Sequence, residues 1–152
     1  PVSLQVHTRS GISDIFVKQV DPAAPAIFGV RGPDSNRYAA IFREDNTLST
    51  LSNPLRPNEV AVIYLTGLGG VTPFTVAGEP ASSTILTRTA TDPIVTIGGV
   101  AGEVQFAGLT PGFIGLYQIN VLLPSYVPKG LEVPLAVTVG ANSATVNVRI
   151  VE

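Results

Sequence analysis

His7 is the chain's single imidazole, and there is no cysteine at all. Acyl transfer by an imidazole base needs an activated serine beside it and a carboxylate behind it, yet no Gly-x-Ser-x-Gly elbow is present to offer that serine. The lack of cysteine excludes thiol nucleophiles, disulfides and thiolate zinc sites together, and a lone imidazole leaves only carboxylates to complete a metal site. A glycosidase would need two carboxylates across a cleft. The 11 Asp and Glu residues lie mostly ten or more positions apart and read as solvated loop charge. Asp34-Ser-Asn36 and Glu44-Asp45-Asn46 gather oxygens of the kind Ca²⁺ takes, but lack the glycine and distal glutamate of an EF-hand loop. Both are compositions that make turns. Gly67-Leu-Gly-Gly70 follows an apolar run as a phosphate loop would, without the Lys-Ser/Thr pair or the helix that would hold an anion. It reads as a turn that ends a strand. Phe113, Tyr117 and Tyr126 lie nearest an expected rim and are the candidate ligand-contacting residues, with sugar rings as stacking partners. Packing in the core and at its corners is their competing role. No catalytic residue, cofactor or metal is expected.

The elements that would position these residues are strands. No window carries apolar residues at i, i+3, i+4 and i+7 free of Gly and Pro, so the helical template fails throughout. The period-two template fits repeatedly, as in Tyr117-Gln-Ile119-Asn-Val121-Leu-Leu123. Leu135, Val137 and Val139 alternate with Ala136 and Thr138, then Gly140-Ala-Asn-Ser143 turns into Val146, Val148 and Ile150, which reads as a hairpin. Ile94 to Ile97 and Glu103 to Ala107 flank Gly98-Gly99, a dipeptide suited to the positive φ of a tight turn. Val60 to Thr66 is nearly all apolar or β-branched and suits a strand buried on both sides. The expected core is Val95, Ile97, Val104, Phe106, Tyr117, Ile119, Val121, Leu123, Leu135, Val137, Val139, Val146, Val148 and Ile150. Short strands punctuated by 15 Gly and 13 Pro favour a two-sheet, immunoglobulin-like sandwich over a small barrel.

Composition narrows the function classes. Hydrophobic residues make up 45% and charged residues 13% of 152 positions, so the chain is globular rather than disordered. A net charge of -2 with scattered basic residues disfavours nucleic acid and anionic membranes as partners. No apolar stretch approaches the roughly 20 residues of a membrane span, so membrane insertion is not expected. The chain opens on Pro1 and contains no Met, which leads to the expectation of a processed product or a piece of a longer protein.

The N-terminal third echoes the C-terminal end. Pro1-Val-Ser-Leu-Gln-Val, a four-residue turn ending at Ser10, and Ile12 to Val20 mirror Pro134-Leu-Ala-Val-Thr-Val, a turn ending at Ser143, and Ala144 to Val151, a pattern of tandem units. Residues 1 to 20 then form a hairpin, the closing piece of a preceding unit. Asp21-Pro-Ala-Ala-Pro25 is a stiff connector, and Tyr38 to Arg43 reads as another strand, turned by Asp45-Asn46. The expected division is residues 1–53 as a partial preceding β unit and 54–152 as the sandwich.

Val95-Thr-Ile-Gly-Gly99, Phe106-Ala-Gly-Leu-Thr-Pro-Gly112 and Gly115-Leu-Tyr-Gln-Ile-Asn-Val121 with Pro124 resemble an uncharacterised C-terminal domain family of Solibacter-type, acidobacterial secreted proteins. Ala24-Pro-Ala-Ile-Phe28, Tyr38-Ala-Ala-Ile-Phe42 and Ile63-Tyr-Leu-Thr-Gly-Leu-Gly69 resemble the same family in the same order. The resemblance implies a place at the C-terminal end of large exported proteins and an extracellular or cell-surface location, and it implies no activity. The expected function is a non-catalytic structural or interaction module. Its partners would be other domains of the same chain and a cell-surface protein or polysaccharide. The alternative is a carbohydrate- or ligand-binding sandwich module.

Overall fold

The computed structural model describes residues 1–152. Every regular element is a strand, and no helix is long and apolar enough to cross a membrane. Strand β1 (Val2–Leu4) pairs with β4 (Phe16–Lys18), and β2 (His7–Thr8) with β3 (Gly11–Ile12), so residues 2–18 form one antiparallel hairpin. It turns on two residues, Arg9-Ser10, rather than on the expected four. Every residue from Pro1 to Pro22 is exposed, so the hairpin stands clear of the body.

The body begins with β5 (Ala26–Ile27), followed by β6 (Gly29–Arg31), β7 (Arg37–Ala39), β8 (Ile41–Arg43) and β9 (Val60–Thr66). Both β5 and β8 pair along one edge of β9, and the small β6–β7 hairpin loops out between them. The chain continues through β10 (Val71–Thr72), β11 (Arg88–Thr89), β12 (Ile94–Ile97), β13 (Val100–Ala101), β14 (Glu103–Leu109), β15 (Tyr117–Leu122), β16 (Gly130–Val139) and β17 (Asn142–Ile150). One sheet has the order β10-β11-β14-β15-β9-β5, with β8 also on β9, and the other runs β13-β12-β16-β17. Their inner faces share a single core of 19 buried residues, among them Ile63, Ile119 and Val121 from the first sheet and Val95, Leu135 and Val137 from the second.

Alternation places these residues as the sequence requires, since successive side chains on a strand point to opposite faces. Each expected core residue is buried or half-buried. Three further expectations change. Val60–Thr66 meets the core on one side only: Ala61, Ile63 and Leu65 are fully buried, whereas Val60, Val62, Tyr64 and Thr66 are half-buried. No third layer covers that sheet, and an antiparallel sheet tolerates one wetter face. Gly98-Gly99 does turn a hairpin, with φ of 58° and 82°, but the partner of β12 is the short β13 rather than Glu103 to Ala107. At Gly102 the chain leaves one sheet for the other. A Cβ there would lie 2.5 Å from Val121 Cγ2 and 3.0 Å from Ile97 Cδ1, so only glycine passes through the core at that point.

The third change concerns the division at residue 53. Ile41 and Ala40 are buried, Ile41 belongs to the shared core, and β5 and β8 are members of the larger sheet. Residues 26–53 therefore belong to the same body as 54–152, and the break in packing lies at Pro22, where exposure ends. Arg43 fastens this segment to the segment after residue 53. Its guanidinium donates to Glu59 at 3.0 Å and to Asn53 at 2.9 Å, and Glu59 in turn accepts the Arg56 amide at 2.8 Å.

Candidate functional site

His7 sits on the exposed hairpin with its Nε2 at 3.1 Å from Gln5 Oε1, and no carboxylate stands behind it. No group of three or more His, Asp or Glu side chains is arranged to hold a metal ion. In the two oxygen-rich turns, Asp34 and Asp45 are bonded within their own loops. Asp34 accepts from the Tyr38 hydroxyl at 2.6 Å and from the Asn36 amide and side chain, and the Tyr38 bond is the chief reason its carboxyl is held below the usual range. Asp45 accepts from the Thr47 hydroxyl and amide, which lower it likewise. Both are Asx-type turns, in which a side chain closes a loop on its own backbone.

Gly67-Leu-Gly-Gly70 has a different use. The amide of Ala24 donates to the Gly67 carbonyl at 2.8 Å. Gly67 has φ of +78°, and a Cβ on it would lie 1.9 Å from the Ala24 carbonyl oxygen; Gly69, at φ +89°, would come within 2.7 Å of the Pro22 oxygen. The loop is therefore a seat against which the connector lies backbone to backbone, a contact that no side chain permits. Asn142 closes the seat from the β16–β17 turn, donating its Nδ2 to the Ala23 carbonyl at 2.8 Å. Tyr117 closes it from below. Its hydroxyl donates to the Gly69 carbonyl at 2.5 Å, and burial pushes its phenol pKa up. Beneath the loop, Leu68 is buried in the core.

The three candidate aromatics thus part company. Tyr117 is a half-buried prop of the connector seat. Phe113 precedes β15 and Tyr126 follows it, so the two lie at opposite ends of a six-residue strand, about 20 Å apart at 3.3 Å per residue. They cannot share one rim. Phe113 instead joins Phe28, Phe42, Tyr64, Val30 and Leu116 around a shallow groove of about 350 Å³ on the outer face of the larger sheet, with a lining of aliphatic and aromatic residues. Phe42 and Tyr64 meet edge to face there at 5.6 Å between ring centroids. Sequence reasoning missed Phe28, Phe42 and Tyr64. Their signal was parity: Tyr64 alternates with the core residues Ile63 and Leu65, and Phe42 follows Ile41, so both must point outward.

No protein-family model matches the chain, and neither does any curated protein or solved structure.

Proposed function

We propose that this chain is a non-catalytic, immunoglobulin-like β-sandwich module of a larger exported protein, and that it holds what precedes it in a set orientation. The observation that carries the reading is the connector seat. Two separate parts of the body, the Gly67–Gly70 loop and Asn142, meet residues 22–24, and Tyr117 props the loop by its bond to the Gly69 carbonyl. A flexible tether needs no such fixture. The resemblance to the C-terminal domains of secreted acidobacterial proteins supports the same reading, with an extracellular location and neighbouring domains as the first partners. Residual dipolar couplings test it: the amides of His7 to Ile12 fit the alignment tensor of the body if the connector is fixed. Averaging of those couplings to near zero would defeat the reading.

A ligand-binding role rests on the Phe113 groove. A lining that is apolar apart from the Tyr64 hydroxyl favours a small apolar or aromatic ligand over a sugar, whose hydroxyls demand several hydrogen-bond partners. Binding of such a compound that shifts Phe113 and Phe42 resonances and vanishes in Phe42→Ser would support this role. Binding of a polysaccharide lost in Tyr126→Ala would overturn it in favour of the opposite end.

A further inference from the structure

The exposed hairpin has a buried counterpart in the same chain. With the two-residue turns superposed, Arg9-Ser10 on Gly140-Ala141, residue numbers differ by a constant 131, and Val2-x-Leu4-x-Val6 falls on Val133-x-Leu135-x-Val137. The second strands agree without a gap, Val17-Lys18 falling on Val148-Arg149 and Val20-Asp21 on Val151-Glu152. The surroundings are opposite. Val133, Leu135 and Val137 are 5%, 0% and 0% exposed, whereas Val2, Leu4 and Val6 are 44%, 54% and 63% exposed.

From this pairing we infer that the Val2–Leu4–Val6 face is a docking surface for a second two-sheet unit of this same construction, and that the hairpin sits in that unit as β16 and β17 sit here. The inference rests on the modular reading above and names its neighbour. An aliphatic V-x-L-x-V face at one parity of a strand, repeated at the same distance from the same turn, is shaped by the surface that covers it. In this chain that surface is β12 alongside β16, with Ile63, Ile119 and Val121 across the core. A second copy of the chain does not supply it, because its own β16 and β17 already fill the place. The occupant is a unit equivalent to residues 22–131 with that place open.

One difference between the hairpins sharpens the inference. At the tip the registers agree, Thr8 facing Gly11 as Val139 faces Asn142, but at the base Leu4 faces Phe16 and Val2 faces Lys18. A single extra residue between Ile12 and Phe16 makes the shift, and a one-residue slip turns a strand's faces over. Docking takes up that slip, bringing Ile15 and Val17 opposite Leu4 and Val2, as Val146 and Val148 stand opposite Leu135 and Val133.

The test joins a second copy of residues 22–131 directly ahead of Pro1 in the full chain and follows amide exchange. The amides of β1 and β4 are expected to slow by on the order of 100-fold relative to the unextended chain, with cross-strand contacts between Leu4 and Ile15. Leu4→Asp in the extended chain removes that slowing and leaves β16 and β17 protected. Thr8 and Gln19 stand where the buried hairpin has Val139 and Ile150, so the extended chain is also made with Thr8→Val and Gln19→Ile. Slowing in either form supports the inference. Unchanged hairpin exchange in both forms, with the original body still protected, overturns it. So does an unextended chain that sediments as a dimer which Leu4→Asp dissociates, since the face then belongs to a second copy. Neither result touches the connector seat, whose own readout is the alignment of the hairpin relative to the body.

Discussion

Replacing Gly67 by alanine puts a methyl group where the Ala24 carbonyl oxygen now lies, 1.9 Å from the added carbon. Neither partner is a flexible side chain, so the connector must leave its seat. Two costs follow. Holding alanine at φ +78° costs about 1–2 kcal/mol in the left-handed region, and this falls on the body itself. Displacing the connector removes the Ala24-to-Gly67 and Asn142-to-Ala23 hydrogen bonds, each contributing about 0.5–1.5 kcal/mol. The sum is about 2–5 kcal/mol, of which the second share appears as freed motion at residues 21–24. Gly70 is the control three residues away: a Cβ there meets nothing closer than Ala90 Cβ at 3.9 Å, so Gly70→Ala is expected to stay within about 0.5 kcal/mol of the parent. Urea unfolding followed by far-ultraviolet circular dichroism reads the first cost, and amide exchange at Ala24 reads the second. If Gly67→Ala and Gly70→Ala unfold at the same urea concentration and the Ala24 amide stays protected in both, the close backbone approach at Gly67 is not what seats the connector.

Arg43→Ala is expected to destabilise the body by about 1.5–3 kcal/mol, because it strips charged hydrogen bonds from a largely covered Glu59 and from Asn53; the urea midpoint measures it. Leu135→Ala in the core should cost about 2–5 kcal/mol, whereas Leu4→Ala on the free hairpin should stay within about 0.5 kcal/mol, both read as unfolding free energies of the same chain. The β6–β7 loop should be sensitive to acid. The carboxyl of Asp34 is lowered in the folded state, chiefly by the Tyr38 hydroxyl, so its stabilisation is complete above the ordinary aspartate value of about 3.9 and is lost as pH falls through the lower folded value. The Tyr38 ring resonances should move over that acidic window and stay fixed from neutral pH down to about 5.

Faces were legible in the sequence and neighbours were not. Period-two alternation in Tyr117–Leu123 and Leu135–Ile150 assigned each side chain to the core or away from it, because parity is a local property of an extended chain. Which sheet a strand joins is settled elsewhere. The passage of Gly102 between sheets depends on Val121 and Ile97, and the membership of β5 and β8 depends on the free edge of β9. For that reason the division at residue 53 fell in the wrong place, although the strand at Tyr38–Arg43 was read. Phe113 and Tyr126 were grouped by being aromatic and near loops, and only the path of β15 shows that they face different ends. The Gly67–Gly70 seat left its one trace in composition. Two backbones in contact require glycine, but glycine does not say which backbone comes close.

The connector meets the body beside the β16–β17 turn, and Glu152 leaves it at the far end, bonded to Lys129 at the start of β16. Tension applied between Asp21 and Glu152 therefore draws β17 lengthwise along β16, and β5 lengthwise along β9 in the other direction. Ladder hydrogen bonds lie across the strands, so such a pull loads all the paired positions of the β16–β17 ladder at once instead of opening them one after another. The same nine-residue strand that closes the core would make the body stiff to a pull along this line.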